Sequence, residues 1–317
     1  MNQRVGNEVG TNVEVPMALR EVGGVEFYDH GTILSWSSAK VLKSLKFGVL
    51  NAVMYLAPHK LAGITVDRTG QPVTRRPDDG WTGLFTLSLC PDATTECIDA
   101  CLNTAGHGAF SNVQAARVNR TLYWFHAREH FINRLERAIM AGCRKAAKEG
   151  LPTVAIRLDG TSDTRPEQWF GLDRMARLQR QAAHLGVELR FYDYTKARLS
   201  DRQYRPGLYD LTYSYTGRTN SIRRASEYLN AGLPVAVVFR DRPLVERLLR
   251  FGHWGLGGYA WPVVDGDEHD LRFGEGAVIA ALYAKGKAKK QQSIFIQDHV
   301  DDGENYLRAF RRLGGNR

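Results

Sequence analysis

Cys90-Pro91-Asp92-Ala93-Thr94-Thr95-Glu96-Cys97-Ile98-Asp99-Ala100-Cys101 holds three of the chain's four cysteines in twelve residues, spaced C-x6-C-x3-C. The run before it, residues 81–89, is apolar and β-prone and reads as a strand. The stretch from Phe110 onward reads as a long helix. A strand, a three-cysteine loop and a helix, in that order, would hold a metal cluster at the mouth of a parallel barrel. Thiolates are soft ligands suited to iron–sulfur clusters or zinc. Three of them leave one position of a four-metal cluster or of a tetrahedral zinc to another ligand or to substrate. His107, six residues past Cys101, is the natural fourth ligand if the metal is zinc, and otherwise an ordinary loop histidine. Reduced structural thiols are the third reading. A disulfide would strand one cysteine, and nothing points to an oxidising compartment.

The chain has 317 residues, 43% hydrophobic and 10% aromatic, enough for the core of a full or partial α/β barrel. No run of eighteen apolar residues suggests a transmembrane helix, and residues 1–18 lack the apolar core of a secretory signal. A cytoplasmic location is therefore expected. Asn119-Arg120-Thr121 matches a glycosylation sequon, read as coincidence in a helix. The net charge of +9 points to polyanions, DNA or RNA among them. Arg174, Arg177 and Arg180, with Arg218, Arg223 and Arg224, would form either a stripe for such a partner or a solvated basic surface.

Residues 1–25 show no lasting period and read as mobile, with a short strand at 25–28. Ser35-Trp36-Ser37-Ser38 reads as a cap for an amphipathic helix over 39–55, where Val41, Leu42, Leu45, Val49, Leu50, Val53 and Met54 recur at helical spacing. Residues 69–80 read as a linker. Strands are expected at 84–89, 154–158, 187–192, 209–214 and 235–239, with further ones at 263–264 and 278–282. Helices are expected across 110–147 (one long or two stacked), 167–185, 221–229 and 243–251. Strands alternating with helices argue for βαβ units and a parallel sheet. No G-x-G-x-x-G follows the first strand, which favours a barrel over a dinucleotide-binding sheet. The expected fold is α/β: a partial or full parallel β/α barrel over residues 81–317, with an N-terminal helical extension over 1–80.

Barrel chemistry sits at the C-terminal ends of the strands. Arg157, Asp159, Tyr194, Lys196, Ser214 and Arg218 follow apolar strands and are the candidate cofactor-binding residues; Cys90, Cys97 and Cys101 are the candidate metal ligands. The acidic turn Asp265-Gly266-Asp267-Glu268-His269-Asp270 offers hard oxygen ligands for a divalent cation, or is a plain turn.

The order Cys90-Pro91-x-Ala93…Cys97…Cys101, Arg117-x-Asn119, Arg157-x-x-Gly160…Asp163 and Tyr194-Thr195-Lys196, spread over roughly residues 82–290, resembles the gene-product-88-like proteins of phages and plasmids. That resemblance implies iron–sulfur ligation by the cysteines and action in the host cytoplasm. More distantly, the layout is similar to radical S-adenosylmethionine enzymes, partial barrels with a three-cysteine cluster loop after the first strand. This second likeness implies a [4Fe-4S] cluster whose fourth iron takes the amino and carboxylate groups of S-adenosylmethionine. The spacing departs from their usual C-x3-C-x2-C, and no Gly-Gly-Glu run follows the second strand. Three functions are thus expected to compete. One is a radical-type iron–sulfur enzyme. Another is a non-catalytic nucleic-acid-binding phage protein with a structural or redox cluster, stacking bases on Tyr123, Trp124 or Trp169. The last is a zinc protein or metal-dependent nuclease using the acidic turn.

Overall fold

The computed structural model describes residues 19–22, 25–28, 31–37, 39–71, 73 and 84–298. Most of residues 1–25, read as mobile, and most of 69–80, read as a linker, lie outside them; Leu19–Val22, within the first range, instead form a strand. In chain order the strands are β1 (Leu19–Val22), β2 (Val25–Tyr28), β3 (Leu34–Ser35), β4 (Val49–Met54), β5 (Thr65–Val66), β6 (Phe85–Thr86), β7 (Thr153–Arg157), β8 (Glu188–Thr195), β9 (Tyr209–Ser214), β10 (Val235–Phe239), β11 (His253–Leu256), β12 (Tyr259–Asp265), β13 (Ile279–Tyr283) and β14 (Ile296–Gln297). The α-helices are α1 (Ala39–Lys43), α2 (Thr95–Asp99), α3 (Ser111–His126), α4 (Arg128–Glu149), α5 (Leu172–Ala183), α6 (Thr219–Asn230) and α7 (Arg242–Phe251).

β4, β7, β8, β9 and β10 lie side by side in chain order and all run parallel. β13 and β12 continue the parallel array, with β11 antiparallel at one edge and β3 antiparallel at the other. β9 pairs with only the first two residues of β10, and β14 takes the place beside its last two. Among the described residues the sheet has ten strands, and its edges do not meet, so it does not close into a full barrel.

Alternation along the strands divides the core. Leu50, Ala52, Met54, Val154, Ile156, Leu189, Phe191, Leu211, Tyr213, Val235 and Val237 share one cluster with side chains of α3, α4, α5, α6 and α7. Side chains of the intervening positions face the other way, where Val49, Ala155 and Tyr192 meet Leu271 and Phe273. All five large helices thus pack on one face. Parallel crossovers are right-handed as a rule, and here each from β4 to β10 sets the next strand beside the last.

Two elements differ from the sequence reading. The helix over 39–55 gives way to α1, a 3-10 turn at Ser44–Phe47 and β4. Gly48 breaks it with φ of 70° in the left-handed region. Val49, Leu50, Val53 and Met54 satisfy the helical spacing, but in β4 every residue is buried. This strand, assigned by sequence to the extension, pairs with β7 in the main sheet. The expected first barrel strand at 84–89 is strand only at Phe85–Thr86, antiparallel to Thr65–Val66 and outside the main sheet. The cysteine loop is therefore an insertion between β4 and α3. The helix over 110–147 is two, broken at Ala127.

Leu50 is 3% exposed in β4, whereas Leu42 in α1 is 48% exposed. Leu50→Ala should lower stability by about 2–5 kcal/mol, and Leu42→Ala should shift it by no more than about 0.5 kcal/mol. Urea midpoints check this; equal effects would restore the amphipathic helix.

Candidate functional site

The C-terminal ends of β4 and β7 hold the cysteine loop. Past β7, the Gly160 amide donates to the Met54 carbonyl, and the Thr161 hydroxyl donates to the Leu56 carbonyl at 2.6 Å. A Cβ on Gly160 would lie 2.5 Å from the Val53 side chain and 2.7 Å from the Met54 oxygen, so only glycine allows this approach. The Asp163 amide donates to the Leu89 carbonyl, and the Leu89 amide to the His59 carbonyl. The His59 amide donates to Cys90 Sγ at 3.3 Å, while the Cys90 thiol points to the Thr161 carbonyl. Thr94 caps α2 by accepting from the Cys97 amide. The Asn103 amide donates to Cys101 Sγ at 3.5 Å. Asn103 is itself held by Arg117, on both its backbone and side-chain oxygens, and by Gln114. Among the described residues, two that are not glycine have positive φ: His59 at 52° and Arg165 at 57°. Both touch this loop, and such conformations cost on the order of 1–3 kcal/mol each unless the surroundings impose them.

Arginines pin the loop from outside. Arg165 and Arg224 each reach Asp92 at 3.4 Å, and Arg224 also donates to the Lys196 carbonyl. Arg218 grips Glu96, beside Cys97, at 3.0–3.3 Å. The Lys196 ammonium lies 5.4 Å over the Phe295 ring. Ala100 packs with Ala284, Ala288 and Ile296, joining the loop to the last part of the sheet.

Beneath the loop runs a buried polar network. Asp159 accepts from the Ser162 hydroxyl (2.5 Å) and from the Thr164 amide and hydroxyl. Asp163 accepts from the Thr195 hydroxyl, the Lys196 amide and Arg202. Glu167 takes the other side of the Arg202 fork. Asp193 accepts from the Asp159 amide and the Tyr209 hydroxyl. Burial, and then the charge of Asp163, pushes Asp159 up to about 6. Burial likewise raises Asp163 and Asp193, the latter well above its ordinary range. Burial works against the charge of Arg202, but Tyr209, Glu167 and Asp163 hold it protonated.

The cysteines are all unpaired. Burial pushes the Cys90 thiol up to about 12, helped by Asp163, Asp159 and Cys97 and opposed by the His59 amide. Burial also raises Cys101; Cys97 adds to this, while the Asn103 amide, Lys196 and Arg117 oppose it. Thiols so raised are poor nucleophiles. Cys143 sits in the main core, as expected for a small apolar residue. Among the described residues no three His, Cys, Asp or Glu side chains stand at metal-holding spacing. The donor set nonetheless suits a thiophilic centre: three thiols in one loop, two of them with peptide N–H donors of the kind that tune cluster sulfurs.

The six candidate cofactor-binding residues do not share one surface. Lys196 and Arg218 border the cysteine loop, and Asp159 lies beneath it as a loop organiser. Arg157 and Tyr194 fall on the opposite face, because side chains alternate along a strand. There the Arg157 guanidinium lies 4.5 Å over the Tyr194 ring and 3.8 Å from Asp270, and the Tyr194 hydroxyl donates to the Asp270 carbonyl. Ser214 has the register of that same face. The acidic turn is dispersed: Asp265 meets Arg242, Asp267 meets Lys285 and the Tyr283 amide, and Asp270 meets Arg157. Tyr123, Trp124 and Trp169, the candidate base-stacking rings, belong to the main core instead. Asn119 of the sequon is bonded to the Tyr28 backbone. The supporting roles of Asp92, Glu96, Arg165, Glu167 and Arg202 escape sequence reading, since scattered ion-pair partners carry no spacing signal; Arg224, read as part of a basic stripe, is committed instead to Asp92 and the Lys196 carbonyl.

Asp163→Ala should cost about 3–5 kcal/mol, the usual result of removing one partner of a buried charge. A urea midpoint near the parent's would refute the network. Asp159 adds a pH test. Its folded-state pKa is raised, so its contribution is complete below about pH 4 and is lost as pH climbs through about 6. Asp159→Asn cannot ionise and should flatten that part of the stability profile; an unchanged slope would contradict the assignment.

No curated protein and no solved structure matches the chain. The distant likeness to radical S-adenosylmethionine enzymes gains no support from them. A family model, gene product 88, matches residues 64–299, which include the cysteine loop, the Asp163 network and the strands from β5 to β14. On that match, the chain is a member of the gene product 88 family.

Proposed function

We propose that this protein carries an iron–sulfur cluster on Cys90, Cys97 and Cys101. What supports the reading is one arrangement: three unpaired thiols in a loop pinned by Arg165, Arg218 and Arg224 at the C-terminal edge of a parallel sheet. It also includes strained backbone at His59 and Arg165, which is characteristic of functional sites.

A [4Fe-4S] cluster on three thiolates would supply electron transfer, or a Lewis-acidic iron for a chelating small molecule such as S-adenosylmethionine. The chain's own residues would do the rest. The His59 and Asn103 amides would donate to the Cys90 and Cys101 sulfurs. Lys196 and Arg117 would offset the negative charge near Cys101. Asp163 would hold the Lys196 backbone in place. Arg218, paired with Glu96, would position the loop rather than bind ligand.

Anaerobic reconstitution should load about four irons per chain, with absorption across the visible iron–sulfur band. Cys90→Ala, Cys97→Ala or Cys101→Ala should each lose most of the iron, and Cys143→Ala should keep it. Iron unchanged in Cys97→Ala would sink the assignment. Colourless protein with one zinc would keep the thiol site but overturn the cluster.

A further inference from the structure

The cysteine loop also forms part of a surface that the cluster reading does not use. Leu102 is 55% exposed and Phe110 57%. His107 is exposed too, and its ring stacks on Phe110 with centroids 5.4 Å apart and planes 22° apart. Beside the Leu102 end of this surface runs the 3-10 turn Gly286–Lys290, with sequence Gly-Lys-Ala-Lys-Lys. It packs on the turn at Leu102–Thr104, and a Cβ on Gly286 would lie 3.1 Å from that of Ala105. Ala288 is its inward residue, and Lys287, Lys289 and Lys290 are exposed. These three lysines make no hydrogen bond or ion pair with another described residue. By contrast, Lys285 of the same run is committed to Asp267, and Arg218 to Glu96.

We propose that Leu102, His107 and Phe110, with Lys287, Lys289 and Lys290, form a binding surface for single-stranded nucleic acid. Exposed near-parallel rings offer faces on which unpaired bases stack, whatever the base. Unpaired ammonium groups alongside supply phosphate contacts without a sequence code. A duplex keeps its base faces covered and could use only the lysines. An anionic membrane would use the lysines and Leu102 but has no need of stacked rings. The proposal does not depend on whether the thiols hold a metal.

The test is fluorescence anisotropy of a labelled fifteen-nucleotide oligothymidylate across a salt series. The parent should bind more tightly than it binds a duplex of the same length. Phe110→Ala should weaken binding between about fivefold and a hundredfold, the range for losing one stacked base, with the salt slope unchanged. K287E/K289E/K290E should weaken it and make the slope shallower by about 2, at roughly 0.7 per phosphate for single strands. R144E/K145E/K148E changes the same charge on exposed residues of α4 and should bind as the parent does. Far-ultraviolet circular dichroism and the urea midpoint show that each variant is folded. Equal loss in the two triple variants, no effect of Phe110→Ala, or binding only to phosphatidylserine vesicles would each overturn the proposal.

Discussion

The buried carboxylate of Asp163 ties together separate parts of this molecule beneath the cysteine loop. It fixes the end of β8 through Thr195 and Lys196 and takes one arm of Arg202, while its own amide holds Leu89. Three separate parts of the chain meet at one residue. A buried carboxylate is tolerable only if its lone pairs are met by good donors. Arg202 meets two acids at once with its planar fork, which an ammonium cannot do. Asp159 and Asp193 are left without a share of that fork, and their raised pKa values follow from burial beside like charge. The network thus lays a rigid but electrostatically costly floor under Cys90.

Why some of this was legible in the sequence and some was not follows from what each signal measures. The strands β7, β9 and β10 are short apolar runs whose place was readable to within about a residue, whereas β8 runs on to Thr195 through polar residues that read as the loop after it. β4 was not, because Val49, Leu50, Val53 and Met54 fit a helix and a buried strand equally well, and only Gly48 marks the change. Residues 84–89 have strand composition but pair with β5 in a two-stranded sheet of their own. The cysteine spacing was plain on its face. Its supports were hidden, since Asp92 meets Arg224 from 132 positions away. Reading strand ends as a ring of side chains ignored the pleat, which sends Arg157 and Tyr194 to one face while Asp193 and Thr195 take the other.

That second face has its own logic. Leu271 and Phe273 lie against it, and Arg272 is buried there with its fork on Glu275 and its other arm on His269. The segment after β12 fills the side that helices leave bare. A parallel sheet needs both faces covered, and here five helices cover one while a loop rich in paired charges covers the other. Polar residues that looked free to bind a cofactor are used in seating that loop.

The cations divide by chemistry. Arg117, Arg165, Arg202, Arg218 and Arg224 each satisfy carbonyls or carboxylates around the cysteine loop. The guanidinium suits this role, being always charged, weakly hydrated and able to donate in several directions. Lysine is a strongly hydrated point charge and gains little from burial, so Lys287, Lys289 and Lys290 stay at the surface. A positive chain of this kind therefore does not carry one diffuse excess of charge. The arginines around the cysteine loop are committed to the groups they hold together, so the proposed surface at this end of the sheet rests on the lysines. Net charge alone could not have located such a surface; what marks the candidate is exposed lysines on a turn packed against a loop that carries exposed rings.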